Sequence, residues 1–249
     1  MVKIFIDPGH GGDSIGASYK GRLEQDDCLR LALAVRDILF TQKGVETMLS
    51  REDDSDPDLF KRCERANGWG ADYFISIHRN AFTPEGATGV EAWVYSGVET
   101  DGVTFNMAKN IVDSVSAVTG YRNRGVKKGA PAYRDYAVNR YTNMHSCLLE
   151  AGFIDNTRDN TVFDTMFSEI ALSIARAVME NLGLTFVPPV IRGDVDGDGK
   201  VTAADARLIL RAAVGLEEID SEKGDIDGDG KITSADSREA LRTATNGEV

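Results

Sequence analysis

The chain has 249 residues, of which 42% are hydrophobic and 27% charged, a composition typical of a globular protein with one or two domains. No apolar run approaches the length of a membrane span, and the net charge of −12 disfavours nucleic acid as a partner. The acidity is uneven: residues 193–249 contain 14 acidic and 7 basic residues, so a cation site is expected there.

The first part of the chain alternates between predicted strands and helices. Strands are expected at 2–6, 45–49, 71–78, 89–95 and 146–150, and helices at 23–40, 58–67, 100–118 and 166–182. The strand at 89–95 alternates apolar and polar residues and is expected to be more exposed than the others. This order predicts an α/β domain over residues 1–186, with a mostly parallel or mixed central sheet flanked by helices. Pro188-Pro189 predicts a short stiff linker over residues 187–192.

Residues 193–249 contain an internal repeat. The segment that begins Gly193-Asp194-Val195-Asp196 returns 31 residues later, and each copy leads into a helical segment. Oxygen donors recur at positions 1, 3, 5, 7 and 12, with glycine at position 6, as in calcium loops of the EF-hand type. The predicted ligands are Asp194, Asp196, Asp198, the Lys200 carbonyl and Asp205 in the first loop, and Asp225, Asp227, Asp229, the Lys231 carbonyl and Asp236 in the second. We therefore expect two Ca²⁺ ions in a small all-α domain, since an acidic solvated tail would not explain the repeated register.

Two of the three histidines, His10 and His78, directly follow predicted strands. Strand ends of one sheet converge, so both imidazoles are expected near Glu24 at the start of the first helix. Two nitrogens and one carboxylate oxygen, with a fourth position left for water, form a donor set for catalytic zinc. Glu150, at another strand end, is placed to move a proton at that water. Each residue also has a structural explanation: Glu24 is favourable in a helix's first turn, and either histidine could be a satisfied interior residue.

Four short blocks carry these residues. They are Asp7-Pro8-Gly9-His10-Gly11-Gly12, Leu23-Glu24-Gln25-Asp26, Ser76-Ile77-His78-Arg79-Asn80-Ala81 and Glu150-Ala151-Gly152-Phe153-Ile154-Asp155-Asn156. In this order they resemble the blocks of the zinc-dependent N-acetylmuramoyl-L-alanine amidases, the amidase_3 family. Gly89-Val90-Glu91 and Asn123-Arg124-Gly125-Val126 also resemble the strand and loop between the family's blocks.

The resemblance implies one catalytic Zn²⁺, bound by His10, Glu24 and His78, with Glu150 as the catalytic general base and acid. It implies hydrolysis of the peptidoglycan amide between N-acetylmuramic acid and L-alanine by a water that zinc activates. Two competing hypotheses are a cell-wall-binding protein without catalysis, and a zinc hydrolase that acts within the stem peptide. The products distinguish these hypotheses, because only the muramoyl amidase releases the amine of L-alanine.

Two residues depart from the family's pattern. Gln25 follows the metal-site glutamate where lysine is common, and we expect it to lie at the surface. His145 stands five positions before Glu150 and either lines the substrate groove or packs; packing is expected. The three cysteines show no disulfide or metal spacing, which predicts buried free thiols.

The paired loops resemble type I dockerin modules, because position 12 is Asp and only the exiting helix of each loop is evident. This resemblance covers residues 193–249 and implies calcium-dependent folding and docking to a cohesin module of a partner protein. Residues at loop positions 10 and 11 help to set partner choice in that family. Here these are Ala203, Ala204, Ser234 and Ala235, more apolar than the hydroxyl pairs of the best-known dockerins. A structural calcium clip that binds no partner is the alternative.

Both resemblances imply a bacterial protein that is extracellular or associated with the cell wall. No secretory leader precedes the first predicted strand. Two explanations stay open: a leader trimmed from the chain, or release by cell lysis.

Overall fold

The computed structural model describes residues 1–132, 134–197 and 199–246. It divides into two compact units, Met1–Val187 and Pro188–Val249. The first unit contains the strands β1 (Val2–Pro8), β2 (Ser18–Tyr19), β3 (Arg22–Leu23), β4 (Val45–Leu49), β5 (Tyr73–Asn80), β6 (Val90–Val94), β7 (Asn123–Lys128) and β8 (His145–Phe153). Its helices are α1 (Glu24–Phe40), α2 (Leu59–Trp69), α3 (Val103–Thr119), α4 (Ala137–Arg140), α5 (Thr157–Thr165) and α6 (Phe167–Asn181).

Six strands form one sheet in the order β4-β1-β5-β8-β6-β7. The strands β4, β1, β5 and β8 are parallel, so their carboxyl ends meet at one edge of the sheet. β6 runs antiparallel to β8, and β7 runs parallel to β6. The short strands β2 and β3 form a separate antiparallel pair. This mixed sheet, flanked by helices, confirms the predicted fold class.

Helices cover both faces of the sheet. On one face α1, α3 and α6 bury a large apolar cluster that includes Leu31, Ile111 and Ile174. On the other face α2 and α4 pack over a smaller cluster built around Phe5, whose ring stacks on that of Phe74 with the centroids 5.4 Å apart. Burial of these side chains at about 25 cal/mol per Å² is the main force that holds the helices to the sheet.

The prediction that strand 89–95 is the more exposed one is wrong. Val90, Glu91, Ala92 and Val94 are all buried, because β6 lies inside the sheet between β8 and β7. The alternation in its sequence comes from Glu91, a charged residue that is buried in ion pairs and is not exposed to solvent.

The second unit contains α7 (Ala203–Ala213), the short α8 (Ser221–Gly224) and α9 (Ser234–Asn246). Each loop glycine at position 6, Gly199 and Gly230, has a φ near 85°, at 88° and 84°, which the sharp loop turn requires. Ile209 of α7 and Ala240 of α9 are fully buried and form the centre of a small core.

The three cysteines are unpaired and buried, which confirms the prediction of free thiols. Among the residues with described structure, no helix combines the length and apolar character needed to cross a membrane.

Candidate metal centre

His10 follows β1 in a glycine-rich loop whose backbone is held by hydrogen bonds from a buried arginine. Its φ of 61° lies in the left-handed region, so the chain turns sharply at this residue. The buried guanidinium of Arg62 donates to the carbonyl oxygens of Pro8 at 2.6 Å and His10 at 2.8 Å. Asp7 accepts from the same guanidinium at 2.9 Å and neutralises it. The His10 imidazole therefore projects from a backbone whose position is held by hydrogen bonds.

Two imidazoles converge on one oxygen of Glu24, the first residue of α1. His10 Nε2 lies 3.1 Å from Glu24 Oε1, and His78 Nδ1 lies 2.9 Å from the same atom. Backbone N–H groups orient this carboxylate: Arg79 donates to Oε1 at 3.2 Å and Ala17 donates to Oε2 at 2.8 Å. Burial alone would raise the pKa of Glu24, but the hydrogen bonds from His10 and His78 outweigh it and hold the pKa well below its usual range. The carboxylate is thus kept ionised, as a metal ligand must be.

The three side chains fit a divalent transition metal. His10, Glu24 and His78 each offer one ligand atom, and these atoms lie within 4.8 Å of one another. Two imidazoles with one carboxylate match the three protein ligands of catalytic zinc sites of the His₂Glu type. The structure brings together all three residues that the sequence predicts as zinc ligands.

Two glycines provide the room that these rings occupy. A Cβ on Gly9 would lie 2.3 Å from His78 Cε1, and a Cβ on Gly16 would lie 2.6 Å from Glu24 Oε2. Either contact is closer than real Cβ atoms approach, so a side chain at these positions would displace a metal donor. The glycines are therefore part of the metal centre.

Glu150 lies next to the donor set on the neighbouring strand. The register of β5 and β8 pairs it directly with His78, so the two side chains lie on the same face of the sheet. Glu150 is buried, and its Oε2 atom has no hydrogen-bond partner among the residues that the structure describes. Burial raises the pKa of Glu150 well above its usual range, and the nearby carboxylates Glu24 and Glu91 raise it further. The arrangement suits a group that accepts and then releases a proton.

Glu91 was not among the predicted site residues, although the structure places it beside Glu150. The two are cross-strand partners between β6 and β8. Glu91 Oε2 accepts from Arg124 Nε at 2.5 Å and from Lys127 Nζ at 2.6 Å. A buried acid in an otherwise apolar strand, followed by the basic residues of β7, is the sequence signal that could have identified it.

A cavity of about 380 Å³ opens beside His10 and His78. Its walls include Leu59 of α2, Tyr136 next to α4, and Leu148 of β8. Burial raises the pKa of Tyr136 above its usual range, so its phenol is neutral at neutral pH. The cavity gives a substrate access to the two imidazoles.

The two departures from the family's pattern have different outcomes. His145 begins β8 opposite Tyr73, so it lies at the other end of the strand from Glu150, roughly 17 Å away along the chain. The residue is exposed, its Nδ1 lies 2.7 Å from Thr104 Oγ1 and its ring packs on Tyr73, so it lies away from the candidate metal centre; its packing role stays a prediction. The expectation that Gln25 lies at the surface is wrong. Gln25 is buried, and its backbone carbonyl accepts from Arg51 at 2.8 Å.

In the first loop of the second unit, three of the predicted calcium ligands converge. Asp194, Asp196 and Asp205 each offer an oxygen within 4.8 Å of the others. Asp205 also accepts from the backbone N–H groups of Val195 at 3.0 Å and Thr202 at 2.9 Å, which closes the loop onto the start of α7. The predicted ligand Asp198 lies outside the described residues.

In the second loop, Asp225, Asp227 and Asp229 converge in the same way. Asp236 is fully buried and accepts from the N–H groups of Ile226 and Thr233, each at 2.8 Å. It therefore holds the loop closed, and its role as a ligand stays a prediction. The same applies to the carbonyls of Lys200 and Lys231.

The predicted partner contacts occupy the first turns of the two helices. Ala203 and Ala204 are exposed at the start of α7, and Ser234 is exposed at the start of α9, whereas Ala235 is half-buried. Their role in docking stays a prediction.

The first unit combines a mixed α/β sheet with two imidazoles and two buried carboxylates near its strand ends, an arrangement that fits a metal-dependent hydrolase. Residues 4–180 match the family model described as N-acetylmuramoyl-L-alanine amidase, and the chain belongs to this family. Its activity class is accordingly the hydrolysis of carbon–nitrogen amide bonds. Residues 192–239 match the family model described as dockerin type I domain. Both resemblances noted in the sequence are thereby confirmed.

Known relatives cover the first unit. N-acetylmuramoyl-L-alanine amidase CwlM of Bacillus licheniformis is 40% identical over 187 residues, which are 75% of this chain and 69% of that protein. The sporulation-specific N-acetylmuramoyl-L-alanine amidase of Bacillus subtilis (strain 168) is 38% identical over the same shares. Among solved structures, an N-acetylmuramoyl-L-alanine amidase from Clostridium difficile 630 superposes with a TM-score of 0.66 and 31% identity, covering 73% of this chain and 97% of that one.

Proposed function

We propose that the first unit cleaves the peptidoglycan amide between N-acetylmuramic acid and L-alanine, with Zn²⁺ held by His10, Glu24 and His78. The observation that carries the proposal is the convergence of His10 Nε2 and His78 Nδ1 on Glu24 Oε1, with Glu150 paired across the strands to His78. Membership of the amidase family supports the choice of bond.

When bound, Zn²⁺ would supply Lewis acidity, polarising the scissile carbonyl and lowering the pKa of a water. The chain supplies the rest of the site. Glu24 is held by the N–H groups of Ala17 and Arg79, so its carboxylate keeps one orientation through turnover. Arg62 holds the backbone of His10 in place, which keeps the two imidazoles at a fixed distance from each other.

Glu150 acts as the proton carrier in this proposal. Its carboxylate takes a proton from the attacking water and later delivers it to the nitrogen of the departing L-alanine. The burial that raises the pKa of Glu150 makes the protonated carboxyl stable enough to hold the proton between these two steps. Its Oε2 atom has no hydrogen-bond partner among the described residues, so this oxygen is available to accept a proton.

Digestion of purified peptidoglycan tests the reaction. We expect new N-terminal L-alanine amines, loss of their release with a zinc chelator, and recovery when Zn²⁺ is restored. Release of other amines would instead indicate a stem peptidase. Binding to the wall without any release, by protein that contains zinc, would favour the binding-only hypothesis.

For the second unit we propose two Ca²⁺ sites, formed by the predicted oxygen ligands of the two loops, and docking to a cohesin module. The support is the grouping of three aspartates in each loop and the match to the dockerin family. Exposed Ala203 and Ala204 on α7 form the more apolar candidate contact, and Ser234 and Ala235 on α9 form the more polar one.

Calcium titration of the full chain, followed by binding to a panel of immobilised cohesins, tests this role. We expect two Ca²⁺ per chain and a cohesin complex that is lost with a calcium chelator. Calcium binding without any cohesin complex would favour the structural clip. A cell-wall amidase joined to a docking module also supports an extracellular or wall-associated location.

A further inference from the structure

A second cleft is lined by Glu91, the cross-strand partner of Glu150. It has a volume of about 500 Å³ and is lined in part by side chains of β6 and β7. Its polar lining includes Arg124, Lys127 and Glu91, and its apolar wall includes Phe82 and Phe153. None of the predicted site residues accounts for this cleft.

Glu91 organises the two cations of the cleft. Its Oε2 accepts from both Arg124 and Lys127, and its Oε1 accepts from Asn80 and Trp93, each at 3.1 Å. Burial alone would raise the pKa of Glu91, but the hydrogen bonds from Lys127 and Arg124 outweigh it and lower the pKa. The carboxylate therefore stays ionised and holds both cations in place.

The cluster retains one net positive charge, because two cations face a single carboxylate. Arg124 uses only Nε for Glu91, and its terminal nitrogens have no hydrogen-bond partner in the part of the chain that the structure describes. Its guanidinium also packs on Phe153, with 5.0 Å between the Cζ atom and the ring centroid. A guanidinium held in this way presents a free fork to a carboxylate.

We propose that this cleft binds a carboxylate of the stem peptide, on the side of the leaving amine. The proposal rests on the proposed function and names the orientation of the substrate in the same site. The opposite cavity supports this orientation, since it presents Asp7, Asp56 and Asp58 against the single cation Arg62 and so disfavours an acidic peptide.

The spacing of the strands matches the reach of a short peptide. His78, Glu150 and Glu91 form one row across β5, β8 and β6, and the cations come from β7. Strands lie about 4.8 Å apart, so β7 is ~10 Å from the strand of Glu150. An extended chain advances about 3.5 Å per residue, so the residue after L-alanine, with its side chain, reaches the cations.

Two soluble substrates test the inference: N-acetylmuramoyl-L-alanyl-D-glutamate and the same compound with both carboxyl groups amidated. We expect the protein to prefer the acidic compound about tenfold in kcat/KM, as one charge-assisted hydrogen bond implies. Arg124→Met removes the free terminal nitrogens and should bring the ratio of the two kcat/KM values towards one. Lys128→Met is the matched control, because this lysine of the same strand is exposed and does not line the cleft, so the ratio should persist.

Equal turnover of both compounds by the unmodified chain, or an unchanged ratio in Arg124→Met, would overturn the inference. If neither compound is cleaved, the proposed function fails, and calorimetric binding of L-alanyl-D-glutamate and its diamide still tests the cleft. Tighter binding of the acid, lost in Arg124→Met and weakened by added salt, supports the cleft; equal binding overturns it.

Discussion

Glu150 and Glu91 are direct cross-strand partners, although both side chains are carboxylates. Like charges in this position destabilise a sheet unless something offsets them. Arg124 and Lys127 neutralise Glu91, while burial raises the pKa of Glu150. The pKa values of these two neighbouring acids are thus shifted in opposite directions, so one stays ionised beside its cations while the other is suited to hold a proton.

The first prediction concerns the proton carrier. Glu150→Gln keeps the shape of the side chain but removes its ability to accept a proton, so we expect kcat to fall by about 10²–10⁴-fold. Zinc content, measured by metal analysis, should stay at one per chain. Glu64→Gln, at an exposed position on α2, is the control and should retain full activity. A Glu150→Gln protein with a normal kcat would remove this residue from the mechanism.

The second prediction concerns the room around His78. Gly9→Ala would place a Cβ 2.3 Å from the His78 ring and push this donor aside. We expect zinc affinity, measured by competition with a chelator, to fall by about 10–100-fold, the range seen when the surroundings of metal ligands are changed. Gly68→Ala, where an added Cβ meets nothing within 4 Å, should bind zinc like the parent chain. Equal affinities in the two variants would contradict the steric argument.

The third prediction concerns the pH dependence of stability. Hydrogen bonds from Arg22 lower the pKa of Asp164 from 3.8 to about 2, with Arg30 contributing further. A lowered folded-state pKa stabilises the fold above the unfolded-state pKa, and this stabilisation is lost as the pH falls from about 3.8 to about 2. Asp164 is half exposed, so Asp164→Asn should cost no more than about 1 kcal/mol at pH 6.

Urea unfolding between pH 6 and pH 2.5 measures this difference. The gap between the parent chain and Asp164→Asn should narrow as the pH falls through this window. Glu99→Gln, at an exposed loop position, serves as the control and should show no such trend. A gap that widens towards low pH would show that the ion pairs with Arg22 and Arg30 do not stabilise the fold.

The fourth prediction separates two roles of the calcium-loop aspartates. Asp205 forms a capping box with Thr202, so Asp205→Ala should destabilise residues 194–246 by about 1 kcal/mol or more even with a calcium chelator present. Asp227 is exposed, so Asp227→Ala should matter only when Ca²⁺ is present. Hydrogen exchange of peptides from this region, in the full chain, gives the measurement. Equal protection of the two variants in chelator would contradict the structural role of Asp205.

The convergence of the candidate metal donors could be predicted because strand ends of a parallel sheet meet at one edge. His10 and His78 were expected at the ends of two predicted strands, and the parallel pairing of β1 and β5 brings them together. The burial of β6 was not predictable in the same way, because the alternation at Glu91 has the same period whether the residue faces water or an ion pair. Only the ion pairs of Glu91 with Arg124 and Lys127 distinguish a buried Glu91 from one that faces water.

Helix α5 was missed for a different reason. Thr157–Thr165 contains three threonines and only two large apolar residues, Val162 and Phe163, so neither propensity nor periodicity indicates a helix. It forms because the Asn156 side chain caps it and because Asp159, fully buried, accepts from the N–H groups of Gly89 and Phe153. The contact with Gly89 joins segments that are 70 residues apart in sequence.

The strand order carries a consequence for how the enzyme is made. β8 is the last strand of the sheet to be synthesised, yet it lies between β5 and β6. Until residue 153 has left the ribosome, β8 cannot join β4-β1-β5 to β6-β7. A nascent or truncated chain can thus contain the three candidate metal donors without Glu150, so the proposed site is complete only when β8 enters the sheet.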